Sequence, residues 1–213
     1  MSKVSDQVPK QVPEQVPELA PRIGNAFTRF IGRVLLGLRG YKVEGKFPNE
    51  PKMIIIACPH TSNWDLIIAL GTILSLGVRI NFMMKKEAFF FPFKNLFMAL
   101  GGVPLDRSSP KRAVVQTIKQ FRDNEKFWLA ILPEGTRKPV DSWKAGFFRI
   151  ARSANVPVFM MGLDSRTKTL HLDKLVLTAA DIQAKPKGSA VEQTELLRLY
   201  ATKKFFGINP KNH

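Results

Sequence analysis

The chain has little of several things, and each shortage excludes a class of protein. Among 213 residues there is one cysteine, Cys58, so no intramolecular disulfide framework can form and a reducing compartment is the expected setting. Three histidines stand far apart at positions 60, 171 and 213. With a single thiol they make no metal-ligand cluster, and no metal or resident cofactor is expected. Acidic residues are outnumbered, 17 against 33 Lys and Arg, for a net charge of +16. The partner must therefore be anionic: a membrane surface, a phosphorylated substrate or nucleic acid. The longest uncharged apolar run, Leu66 to Val78, has thirteen residues, short of the roughly 20 that a bilayer-spanning helix needs. The first twenty residues are polar and proline-rich, without the apolar stretch of a secretory signal. Walker and Rossmann glycine patterns are missing too. The expectation is a single domain, large enough to bury a core, that lies on the cytoplasmic face of a membrane rather than crossing it.

Gln-Val-Pro occurs three times in residues 1–21. Each proline fixes φ and removes a donor, so this segment reads as a disordered, extended arm. Arg22 to Leu38 reads as a helix with Ile23, Phe27, Phe30, Ile31, Val34 and Leu38 on one face and Arg22, Arg29 and Arg33 on the other. It is either packed on the core with a solvated arginine face or laid in a lipid interface. In both cases residues 22–40 form an N-terminal amphipathic helix ahead of a domain at 41–213; a lipid-interface helix implies that the domain folds without residues 1–40, and a core helix implies that it does not.

Strand and helix then alternate. Strands are expected at Met53–Cys58, Ile80–Met84, Val103–Leu105, Phe127–Leu132, Val156–Gly162 and Thr169–Leu177. Helices are expected at Asp65–Leu76, Glu87–Leu100, Lys111–Asn124, Ala145–Ala154 and Val191–Lys204, the third with Val114, Val115, Ile118 and Phe121 inward. This is an α/β fold, one layered domain with a mixed, largely parallel central sheet flanked by helices. The aromatic block Phe89, Phe90, Phe91, Phe93 and Phe97 is either core or the wall of an apolar tunnel or membrane-facing patch.

Two short segments carry the chemistry. Pro-His-Thr-Ser-Asn-Trp-Asp runs from Pro59 to Asp65, just after the first of those strands, and Leu-Pro-Glu-Gly-Thr-Arg runs from Leu132 to Arg137, just after another. A loop-to-helix turn lets the Asp65 carboxylate reach back to one nitrogen of His60. The carboxylate then fixes the tautomer, and the other nitrogen can take a proton from a hydroxyl. The plain alternative is a histidine beside a helix cap. Arg137 and Arg107 suit phosphate, because guanidinium matches it bidentately and stays charged. Gly135 allows close backbone approach, and Thr136 can donate its hydroxyl. Glu134 would repel phosphate, so it is expected to orient an arginine or bind a substrate hydroxyl. Cys58 reads as a buried apolar residue rather than a nucleophile.

These segments occur in order with Gly101-Gly-Val-Pro-Leu-Asp106-Arg107 and Val156-Pro157-Val158. From Lys52 to Leu163 the chain resembles the glycerolphosphate acyltransferase family, whose best-known members are 1-acylglycerol-3-phosphate acyltransferases. It departs from that pattern at Pro59, where many members have Asn, and at Met160-Met161-Gly162-Leu163, where members often carry a second Pro. The resemblance implies an acyl thioester donor, either acyl-CoA or acyl carrier protein, and a lysophospholipid acceptor whose hydroxyl attacks directly with His60 as base. It also implies that Lys85 and Lys86 border the acceptor pocket and that Lys144 follows the phosphate turn. The competing readings are the same chemistry on a lyso-aminolipid and a non-catalytic basic membrane-binding protein. Nucleic acid is not the expected partner, since the intact His60, Asp65 and Arg137 argue against lost catalysis.

Overall fold

The run Met-Ile-Ile-Ile-Ala after Lys52 has no polar position, the pattern of a strand covered on both faces. In the computed structural model, which describes residues 12–13, 16–105, 109–184 and 189–212, this run is β2 (Lys52–Cys58), the middle strand of seven. The others are β1 (Lys42–Gly45), β3 (Ile80–Lys85), β4 (Gly102–Leu105), β5 (Phe127–Ile131), β6 (Val158–Asp164) and β7 (Thr169–Leu177). Their spatial order is β1-β7-β6-β2-β5-β3-β4. Every neighbouring pair is parallel except β6 with β7, so the sheet is mixed and mostly parallel.

The helices are α1 (Ala26–Leu38), α2 (Asn63–Leu76), α3 (Phe93–Ala99), α4 (Pro110–Asp123), α5 (Gly146–Ala154), α6 (Ala179–Gln183) and α7 (Ala190–Lys204). Strand alternation divides the core. Met53 and Ile55 pack with Leu36 of α1 and Ile68 and Leu76 of α2. Ile54 and Ile56 pack with Phe121 of α4 and Phe147 and Ile150 of α5. The order β6-β2-β5 has the greatest consequence for function. Parallel pairing of β2 with β5, with Ile56 opposite Ile131, sends both strands out at the same edge. The His60 and Glu134 segments therefore leave the sheet side by side.

Several expectations are corrected. Helix α1 starts at Ala26, capped by Asn25, whose side chain accepts from Thr28 N–H while the Thr28 hydroxyl accepts from Asn25 N–H. Arg22 and Ile23 are extended instead: Arg22 bridges Val78, and Ile23 N–H donates to Gly77 O at 3.1 Å. The described end of the proline-rich arm is anchored rather than disordered, since Ala20 is fully buried and Val12 and Val16 pack on the core; residues 1–11, 14 and 15 lie outside the described residues. Leu36 is also fully buried, so removing residues 1–40 would open the core and the domain is not expected to fold without them. On α4, Val115 is 66% exposed, because the seam falls on Val114, Ile118 and Phe121. The helix expected from Glu87 begins only at Phe93, after a short 3-10 turn at Lys86–Ala88. β1 and α6 were not anticipated.

Helix α1 docks through Gly32 and Leu36. A Cβ on Gly32 would sit 2.3 Å from Ser75 N and 2.7 Å from Gly71 O, so only glycine lets α1 and α2 approach this closely. With that seam against α2, the apolar residues of α1 are left outside: Phe27, Phe30, Val34 and Leu38 are exposed.

Candidate active site

α2 opens with a cap built from the motif itself. Ser62 is the N-cap, and its side chain accepts from Trp64 N–H at 3.2 Å. Asp65, in the first turn, reaches back with Oδ2 to accept Thr61 N–H at 2.6 Å and Ser62 N–H at 2.7 Å. Short charge-assisted bonds of this kind hold the carboxylate firmly, and an acid in the first turn suits the helix dipole. The same Oδ2 lies 3.3 Å from His60 Nδ1. That is ion-pair distance, yet Nδ1 and the other oxygen, Oδ1, are buried without a well-aligned hydrogen bond among the described residues. Dyads without substrate often show such geometry and tighten when substrate binds. The cap is formed, and the oxygen that forms it is also the one that faces His60 Nδ1.

Glu134 makes a bond that the sequence did not indicate. Its Oε2 accepts His60 backbone N–H at 2.8 Å, so it ties the β5 exit to the β2 exit. Burial is the main influence pushing its pKa upward, against the lowering effect of the His60 N–H. Gly135 follows with φ +68, a left-handed turn that favours glycine. Lys144 lies over it: a Cβ on Gly135 would meet Lys144 Nζ at 2.9 Å, and Lys144 N–H donates to Pro133 O at 2.9 Å. Thr136 Oγ1 accepts Lys138 N–H at 3.3 Å. Arg137 is exposed and donates through Nη1 to Asn63 Oδ1, which hangs the phosphate-binding candidate on the first residue of α2, beside the dyad. The structure therefore brings together His60, Asp65, Glu134, Gly135, Thr136, Arg137 and Lys144. Lys86 is exposed in the 3-10 turn after β3. Lys85 ends that strand, and its side chain, like the whole of Arg107, lies outside the described residues.

Beneath His60 is an apolar cavity of about 270 Å³. Leu66, Leu70 and Ile73 of α2, Phe82 of β3 and Phe97 of α3 line it, and His60 and Asp65 stand in its wall. The aromatic block divides: Phe97 enters the cavity with Phe89 edge-on at 6.2 Å, while Phe91 is 93% exposed. Phe93's side chain lies outside the described residues. Cys58 is buried, and burial raises its pKa well above the ordinary thiol value, which keeps it a neutral thiol. Among the described residues no cluster of His, Cys, Asp and Glu could hold a metal ion, and no helix is long and apolar enough to cross a membrane.

A His–Asp pair thus stands at a parallel-sheet edge, in the wall of an apolar cavity and beside an arginine turn. The chain belongs to the acyltransferase family: the family model described as Acyltransferase matches residues 41–163. A 1-acyl-sn-glycerol-3-phosphate acyltransferase of Pseudomonas aeruginosa is 33% identical over 138 residues, covering 62% of this chain and 52% of that protein. One from Saccharomyces cerevisiae is 32% identical over 147 residues, covering 65% of this chain and 46% of that protein. The chain thus spans about half the length of the curated relatives it matches. In fold it is similar to PlsC, the 1-acyl-sn-glycerophosphate acyltransferase of Thermotoga maritima, with a TM-score of 0.58 and 20% identity over 84% of this chain and 78% of that one.

Proposed function

We propose that the protein is an O-acyltransferase that moves a fatty acyl group from a thioester donor to the free hydroxyl of 1-acylglycerol-3-phosphate at a membrane surface. The observation that carries this reading is the His60–Asp65 pair set into the wall of an apolar cavity, with Arg137 at the same sheet edge. His60 takes the hydroxyl proton through Nε2 as the oxygen attacks the thioester carbonyl. Asp65 holds the ring through Nδ1 and stabilises the imidazolium that forms. The thiol of the donor leaves with that proton. No serine or cysteine nucleophile is needed, because the thioester is already activated, and the neutral buried Cys58 supports direct transfer. The cavity suits an acyl chain, since its lining is almost wholly apolar. The acceptor's phosphate belongs outside it, on Arg137 with Lys144 nearby. Arg107 and Lys85 are proposed to join them.

The phosphate assignment is tested by Arg137→Lys. Charge is kept, but the bidentate fork is lost, so KM for 1-acylglycerol-3-phosphate is expected to rise about tenfold while KM for the donor stays level. An acceptor without phosphate should be indifferent to the change. A rise confined to the donor would move Arg137 to the donor's phosphates.

The exposed stripe on α1 supports attachment to a membrane. Phe27 is 68% exposed and Phe30 62%, and Arg29 and Arg33 lie on the same helix. An apolar face in the acyl boundary with cations at the headgroups gives additive attachment. Phe27→Ser with Phe30→Ser leaves Gly32 and Leu36 in their seam, so the fold should hold while binding to anionic vesicles falls by about a hundredfold or more, at roughly 1.5–3 kcal/mol per phenylalanine. Unchanged sedimentation with such vesicles would remove α1 from the attachment.

A further inference from the structure

Resting on the reading of His60 as the general base, we propose that the C-terminal tail, residues 205–209, is a positioning element for the His60–Asp65 pair and acts through Thr61. The tail lies beyond residue 163, where the family match ends, and it is built against the catalytic loop. Phe205 is fully buried, and its ring covers Gly162 so closely that a Cβ there would lie 2.3 Å from the phenyl carbons. The chain then runs along the end of β6. Phe206 N–H donates to Leu163 O at 3.0 Å, and Ser165 N–H donates to Phe206 O at 2.9 Å. The Ser165 hydroxyl donates to Gly207 O at 2.7 Å. The Arg166 guanidinium, held by Asp164, lies 3.3 Å over the Phe206 ring.

So fixed, the tail meets Thr61, a buried polar residue only 2% exposed. A Cβ on Gly207 would sit 2.2 Å from Thr61 Cγ2, and Asn209 N–H donates to Thr61 Oγ1 at 3.2 Å. Thr61 is the residue after His60, and its own N–H holds the Asp65 Oδ2 that faces His60 Nδ1. The path from tail to dyad is therefore Asn209 and Gly207, then Thr61, then Asp65 and His60. Among the described residues the acids facing His60 are Asp65 on α2 and Glu134, whose carboxylate is on the His60 N–H; Arg137 is held at the same edge through Asn63. The tail adds no charge of its own to that set through residues 205–209. Its effect is geometric.

The test compares Thr61→Val, which keeps the shape and removes the hydroxyl acceptor, with Thr61→Ser, which keeps the acceptor. Gly207→Ala, which drives a methyl onto Thr61, is the third variant. All are measured in the full chain. Thr61→Val and Gly207→Ala are expected to lower kcat on the order of tenfold to 100-fold, since small displacements of a reacting group are costly. KM for both substrates should stay within about twofold. Thr61→Ser is expected to stay near the parent rate. The His60 ring titration, followed by NMR, should move in Thr61→Val and Gly207→Ala but not in Thr61→Ser. A folded Thr61→Val protein with the parent kcat and an unmoved His60 titration would overturn the proposal, as would equal losses in Thr61→Val and Thr61→Ser. The titration reads the geometry of the dyad whether or not acyl transfer is the right reaction, so the two readings can fail separately.

Discussion

Replacing His60 with Ala is expected to all but abolish acyl transfer and leave the fold untouched. The general base contributes on the order of 10²–10⁴-fold, and among the described residues the acids beside it are already engaged: Asp65 is committed to two backbone N–H groups and Glu134 to a third. The fold should survive because the bond from position 60 that joins the two motif segments uses the backbone N–H, which alanine keeps. Circular dichroism and thermal melting should match the parent, and the rate of product formation should fall by about 10²–10⁴-fold. A folded variant with a near-normal rate would remove His60 from the chemistry.

Asp65→Asn is expected to act differently, because one oxygen serves the dyad and the cap together. Loss of the charge leaves the imidazolium unstabilised and frees the tautomer, so kcat should fall by about 10²–10⁴-fold. Unlike His60→Ala, this change should also lower the melting temperature. It weakens two short bonds to Thr61 and Ser62 N–H and removes an acid from the first turn of α2, worth about 0.3–1 kcal/mol. The rate-limiting ionisation in the pH–rate profile should move as well. A variant with the parent's pH profile and melting temperature would show that Asp65 neither orients the ring nor holds the cap.

The motif residues were legible because their signals are local. His60 with Asp65 and Glu134 with Arg137 each sit in one short segment after an apolar run, and a strand exit is where an α/β sheet places its site. The sequence disclosed the approach of Asp65 to His60 but not the bond that joins the two segments. Glu134 was expected to face an arginine or a hydroxyl, yet it accepts His60 N–H, a bond that exists only because β2 and β5 are spatial neighbours. The role of Thr61 depends in the same way on residues nearly 150 positions downstream. The N-terminal error was of another kind. Helical periodicity ran through Ile23, but Asn25 followed by Thr28 carried a capping signal that sets the start at Ala26. On α1 the apolar stripe does not pack on the core: Gly32 and Leu36 make the seam, which leaves the phenylalanines outside. Strand β1, with the sequence Lys-Val-Glu-Gly, is too short for a period-two pattern to register.

The central claim is tested most directly by identifying the product. The purified protein is incubated on anionic vesicles with 1-acylglycerol-3-phosphate and with matched lyso-lipids that lack the phosphate, each with acyl-CoA or acyl-loaded carrier protein, and the lipids are read by mass. The account predicts that 1-acylglycerol-3-phosphate gains one acyl group from a thioester donor, that the phosphate-free lyso-lipids react far more slowly, and that His60→Ala forms product about 10²–10⁴-fold more slowly. Equal acylation of acceptors with and without phosphate, or no acylated product from any acceptor with either thioester, would contradict it.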